Sequence, residues 1–127
     1  MKMRIKGNSL RLRVSPSEVT RLLKRDRLEE TIHFAPEPGA MLTYALEQCE
    51  SVEVPTIQYS QNAVTVLIPA DQARMWFTTD QVGLQQDINL GRFGTLTLLI
   101  EKDFACLDRG DEENKDTFVN PSAKPFC

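Results

Sequence analysis

Hydrophobic and polar residues alternate with period two over residues 3–6 and again over 9–14, on either side of Gly7-Asn8. That is the pattern of two half-buried strands joined by a tight turn. It recurs over 57–59 and 64–68, around Ser60-Gln61-Asn62. Each hairpin leads into a stretch with helical spacing. Ser15-Pro16-Ser17-Glu18 is a capping box with proline at the first helical position. The Ser15 hydroxyl can accept from the Glu18 amide, and Pro16 gives up no donor the helix needs. The spacing predicts a helix over 16–24, with Val19, Leu22 and Leu23 as its buried stripe. A second helix starts after Pro69, with Ala73, Trp76 and Phe77 as the matching stripe. Further strands are predicted over 28–34, 41–47, 84–90 and 95–102. Pro36-Glu37-Pro38-Gly39 and Gly91-Arg92-Phe93-Gly94 mark the turns between them.

The pattern is a repeat. At an offset of 54, Met3 falls on Ile57, Ile5 on Tyr59, Leu10 on Val64, Leu12 on Val66, Val14 on Ile68, Leu22 on Trp76, and Leu28 on Val82. Two extra residues then enter the second unit, so Ile32 falls on Ile88 and Phe34 on Leu90. A shorter loop restores the first offset, placing Leu42 on Leu96, Thr43 on Thr97 and Glu47 on Glu101. The expected fold is α+β: internally duplicated ββαβ(β) units forming a curved, mostly antiparallel sheet with two helices on one face. The units span about 1–53 and 54–107 of a single domain, and 108–127 form an acidic tail in which the alternation has stopped.

Composition fits one soluble globular chain: 127 residues, 41% hydrophobic and 26% charged. With no long apolar run and no secretion signal, the expected location is cytoplasmic. Cys49, Cys106 and Cys127 form no CxxC pair and read as reduced thiols. The charge is uneven. Residues 1–27 hold nine bases against two acids, while the other hundred hold six bases against sixteen acids. Asp108, Asp111, Glu112, Glu113 and Asp116 make the acidic segment a candidate to neutralise the basic one.

Strand parity sorts these residues into two faces. The apolar face takes Met3, Ile5, Leu10, Leu12, Val14, Ile32, Phe34, Tyr59 and Leu90 among others, and is expected to form the core. The opposite face takes Arg4, Lys6, Arg11, Arg13, Thr31, His33, Thr43 and Glu47, with Gln58, Thr65, Asp87, Asn89, Thr97 and Glu101 from the second unit. Several readings compete for this polar face. It is a solvated surface whose bases guard a sheet edge. It is the site of a ligand-binding or protein-interaction module without enzymatic activity, where Arg4, Lys6, Arg11 and Arg13 hold a small anion or an acidic protein segment. It is a metal-dependent enzyme site in which His33, Glu47 and Glu101 bind a divalent cation, the alternative being two strand-end glutamates in salt bridges. Nucleic-acid binding through the basic hairpin is opposed by the absence of stacking aromatics and by the acidic pI of about 5.2. No phosphate loop or nucleophile motif stands out, no cofactor beyond that metal is implied, and Cys106 among acids is a poor nucleophile.

The segment 1–13 with Glu18-Val19, Glu29-Glu30-Thr31 and His33-Phe34 resembles a family of short uncharacterised bacterial proteins. Glu101-Lys102-Asp103-Phe104, Cys106-Leu107 and Asn120-Pro121 extend that resemblance over nearly the whole chain. The family is a domain of unknown function, so no catalytic residue is transferred from it. In architecture alone the tandem units resemble two larger groups. One is the SOUL and gyrase-inhibitor-like ligand-binding domains. The other is the vicinal oxygen chelate superfamily, which implies strand-borne metal ligands at Glu47 and Glu101 but whose usual second histidine is missing here.

Overall fold

Eight strands and two helices follow one another in a computed structural model that describes residues 1–104. The first half contains β1 (Lys2–Lys6), β2 (Ser9–Val14), α1 (Pro16–Leu23), β3 (Leu28–His33) and β4 (Met41–Cys49). The second half contains β5 (Thr56–Ser60), β6 (Ala63–Pro69), α2 (Ala70–Thr78), β7 (Gly83–Asn89) and β8 (Thr95–Lys102), with a single 3₁₀ turn at Gly91–Phe93. The acidic segment 108–127, the end of the second unit and Cys106 lie outside the described residues. Among the described residues no helix is long and apolar enough to cross a membrane.

The strands divide into two four-stranded sheets, in the orders β1-β2-β8-β7 and β3-β4-β6-β5. Each sheet combines the first hairpin of one repeat with the second hairpin of the other. Outer pairs are antiparallel, and the two central contacts, β2 with β8 and β4 with β6, are parallel. The registers repeat as the sequence offset requires. Leu10 lies opposite Leu98 and Leu12 opposite Ile100; their counterparts place Val64 opposite Tyr44 and Val66 opposite Leu46. One assignment changes. Leu28 pairs with Leu46, and Leu84 pairs with Ile100, so the counterpart of Leu28 is Leu84 rather than Val82. The two added residues therefore enter before β7, in the turn after α2.

Both sheets and both helices share one core. Leu12, Val14, Leu46, Val66, Ile68, Leu98 and Ile100 meet Leu22 of α1 and Trp76 of α2, all essentially inaccessible. The central strands all run toward the helices, so this end of the sandwich is sealed. The opposite end, at the hairpin tips, is not. Parity sends Ile5, Ile32, Phe34, Tyr59 and Leu90 to the core, yet these side chains are exposed, Ile5 by 63% and Tyr59 by 67%. Their strands outrun the helices, and nothing in the described chain caps them. Leu23 of the predicted helical stripe is also exposed, leaving Leu22 as the buried residue of α1.

The helices are fixed to the sheets by polar contacts at their ends. The Trp76 indole N–H donates to the Val82 carbonyl at 3.0 Å, and the Gln48 side chain donates at 2.6 Å to the Leu22 carbonyl, which also accepts from the Arg25 backbone N–H at 3.0 Å. At the start of α1 the capping box closes in both directions: Ser15 N–H donates to Glu18 Oε1 at 2.9 Å, and Glu18 N–H donates to the Ser15 hydroxyl at 3.4 Å. The Met1 amino group pairs with the same carboxylate. Burial acts to raise the Glu18 pKa, but the hydrogen bonds from the amino group and from Ser15 outweigh it and hold the group below its ordinary 4.5. A lowered carboxylate stabilises the fold above its unfolded pKa, and the contribution is lost as pH falls through the folded value. Glu18→Gln keeps a capping-box acceptor for the Ser15 N–H but removes the charge that faces the Met1 amino group, and is expected to cost about 0.5–1 kcal/mol at neutral pH, as loss of a partly exposed ion pair does. Urea unfolding across pH is expected to show that difference shrinking toward zero as the medium is acidified below the carboxylate range.

Candidate functional site

The outer face of the first sheet carries the basic residues. β1 contributes Lys2, Arg4 and Lys6, and β2 contributes Arg11 and Arg13. Strand pairing sets Lys2 against Arg13 and Arg4 against Arg11. Like charges directly opposite each other in an antiparallel pair are destabilising, so the hairpin forms against its own electrostatics. What offsets this comes from β8. Arg11 and Arg13 both donate to Glu101 Oε1, through their Nε atoms at 2.6 and 2.8 Å, and Arg11 Nη2 adds a further contact to the same oxygen. The Glu101 side chain is only 12% exposed. Just beyond β8, Asp103 lies 3.1 Å from the Lys2 ammonium.

Among the described residues, five cations therefore face two carboxylates. Arg4 and Lys6 have no ion-pair partner among the described residues. Parity over 3–6 already placed Arg4 and Lys6 on this face; Lys2 continues the same alternation one residue earlier, and Asp103 continues that of β8. Neither Lys2 nor Asp103 was picked out by sequence reasoning.

The second sheet serves as an internal comparison. It has the same strands in the same register, but the counterparts of Lys2, Arg4, Lys6, Arg11 and Arg13 are Thr56, Gln58, Ser60, Thr65 and Leu67. The core residues are apolar in both repeats, whereas the outer bases occur in only one. The sister sheet is built without bases at the counterparts of Lys2, Arg4 and Lys6, while the task of Arg11 and Arg13 on Glu101 falls there to Arg27 on Glu47.

His33, Glu47 and Glu101 are not brought together. Glu101 is on the first sheet, while His33 and Glu47 are on the second. His33 pairs with Met41 at the open end, whereas Glu47 lies beyond Leu46 at the helix end. No cluster of three or more His, Cys, Asp or Glu residues suited to a metal occurs among the described residues. Both glutamates are in salt bridges. Arg27 Nη1 reaches Glu47 at 3.2 Å, and its Nε reaches Glu29 at 2.9 Å. At the position equivalent to Arg27 stands Gly83, where a Cβ would lie 2.5 Å from the Ile100 carbonyl oxygen. With no side chain tolerated there, Glu101 takes its arginines from the other flank, β2. Thr31 and Thr43 join hydroxyl to hydroxyl at 2.8 Å between these ion pairs and His33. Cys49 ends β4 and is a free thiol, which Ser51 holds below its ordinary pKa by hydrogen bonding.

The two glutamates differ in what they hold. Glu101 is nearly buried under two guanidinium groups, while Glu47 faces one exposed arginine. Glu101→Gln is expected to destabilise the protein by about 1.5–3 kcal/mol, the range for hydrogen bonds to charged groups. Glu47→Gln is expected to cost about 0–1 kcal/mol. Paired denaturation curves check the ordering.

No curated protein and no solved structure matches this sequence. A family profile does, over residues 1–122, and on that coverage the chain belongs to DUF7009, a family of unknown function.

Proposed function

We propose that this protein is a binding module that takes an extended acidic protein segment along the basic outer face of its first sheet. The observation that carries this reading is the asymmetry of the repeat. One scaffold is built twice in the same register, and only one copy bears Lys2, Arg4, Lys6, Arg11 and Arg13. Lys2 and Arg4, set against like charges, and Lys6 stand where the sister sheet has neutral residues, which fits a role in recognition. Their layout favours a segment over a point anion. Lys2, Arg4 and Lys6 run along one strand for about 13 Å, the length of four or five extended residues. Arg11 and Arg13 form a second row already held in place by Glu101, with guanidinium forks suited to carboxylates. The rows hold no aromatic residue on which a nucleobase could stack, and the chain as a whole carries a net charge of −3.

The sister sheet also supplies the cleanest variant. Lys2→Thr, Arg4→Gln and Lys6→Ser together copy the second repeat onto the first and leave Arg11, Arg13 and Glu101 intact. A labelled ten-residue poly-glutamate peptide, followed by fluorescence anisotropy at low salt, is expected to bind the natural protein. The triple variant should stay folded and bind at least about tenfold more weakly, three exposed cations being worth roughly 0.5 kcal/mol each. Equal binding by both proteins, or tighter binding of a single-stranded oligonucleotide than of the peptide with the same dependence on these residues, overturns the reading.

A further inference from the structure

The hairpin tips form the open end of the sandwich, and apolar side chains gather there. Ile5, Ile32, Phe34, Tyr59, Leu90 and Phe93 all lie at this end, exposed by between 38% for Leu90 and 72% for Phe93. At about 200 Å² for a fully exposed large side chain, the six present roughly 700 Å² to water. The largest apolar patch on a typical monomer is about 300–600 Å². Between the two sheets the same end opens into a cleft of about 280 Å³. Met3, Ile5, Leu10 and Leu42 line it together with their counterparts from the other repeat, so it straddles the pseudo-twofold axis. The tips are fixed in place. Asn8 Nδ2 donates to the Thr95 carbonyl at 2.8 Å, and its counterpart Asn62 donates to the Gly39 carbonyl at 3.0 Å, each tying its hairpin to the next. The surface is therefore built before anything binds to it.

From this we infer that the open end is a dimer interface, where a second copy of the chain docks tip to tip. The interface is separate from the basic face and does not depend on its role. A twofold interface is self-complementary, so one patch must supply both a hollow and what enters it. This end has both: the cleft is the hollow, and Phe34 and Phe93, which lie outside its lining, are exposed aromatic side chains free to enter the partner's. The area agrees. A stable interface takes about 800 Å² from each partner, and the half-buried cleft walls add to the six exposed side chains. A small molecule in the cleft would touch only Ile5 and Tyr59 of those six and leave the other four in water. The rest of the chain sets out in the other direction. β8 runs from the tips toward the helices, and Asp103 and Phe104, where the described residues end, lie beside Val14 and Val19 at the far end.

The test is sedimentation equilibrium of the full chain, where a particle of twice the 14.4 kDa chain mass is expected at micromolar concentration. Phe34→Glu combined with Phe93→Glu, both in exposed loops, should weaken the dimer at least about tenfold. Met75→Glu, at an exposed apolar residue of α2 on the far end, should leave it unchanged. A chain that stays monomeric up to high micromolar concentration overturns the inference. So does a dimer that survives the double variant with unchanged circular dichroism, or one that Met75→Glu weakens as much. Should the double variant fail to fold, hydrogen exchange of the natural protein decides. The amides of residues 33–40 and 90–94 should gain protection as concentration rises, and protection that does not change with concentration overturns the inference.

Discussion

The parallel contacts of β2 with β8 and of β4 with β6 are the constraint on which the rest of the molecule depends. A hairpin pairs with its neighbour in sequence, but these strands pair with partners from the other repeat. Neither repeat can complete a sheet alone. The same exchange puts both helices at one end, because all four central strands run toward it, and leaves the hairpin tips to form the other. Sealed core, open cleft and basic face all follow from that topology. The helix end buries Trp76 and Leu22. The tip end leaves apolar side chains in water. The outer face of the first sheet brings β8 beside β2, so that Glu101 can hold Arg11 and Arg13.

Much of this is legible in the chain, because period-two alternation and a capping box are local signals. The ends of β8 and the start of α1 fall where the pattern places them, and the repeat offset reappears in the strand registers. What alternation cannot convey is partnership. Parity says that Arg11, Arg13 and Glu101 share a face type, but not that they share a sheet. Nor does it say that His33 and Glu47 lie at opposite ends of the other sheet. A metal triad and a pair of salt bridges look alike until strand order is known. The exposure of Ile5 and Tyr59 is hidden for a related reason. Their faces are assigned correctly, but burial depends on what covers that end of the sandwich. Gly83 gives the least notice of all, since its need to be glycine comes from the Ile100 carbonyl across the ladder.

Duplication lets one scaffold serve two purposes at once. The inner faces of the repeats stay apolar and build the core together, so substitutions there act on both sheets. The outer faces have diverged in charge: five bases on one sheet stand where the other has neutral residues. The glutamate at the end of each parallel pair is retained, but its partner comes from β2 in one sheet and from the segment before β3 in the other.

The exchange of hairpins is most directly tested by dividing the chain between the repeats. Fragments 1–53 and 54–127, expressed separately, should each lack the circular dichroism of the intact protein as monomers. Mixed in equal amounts, they should recover it and run as a one-to-one complex in native mass spectrometry. A fragment that folds by itself into a stable monomer with its full share of strand signal would show that each repeat completes its own sheet, and would contradict the account.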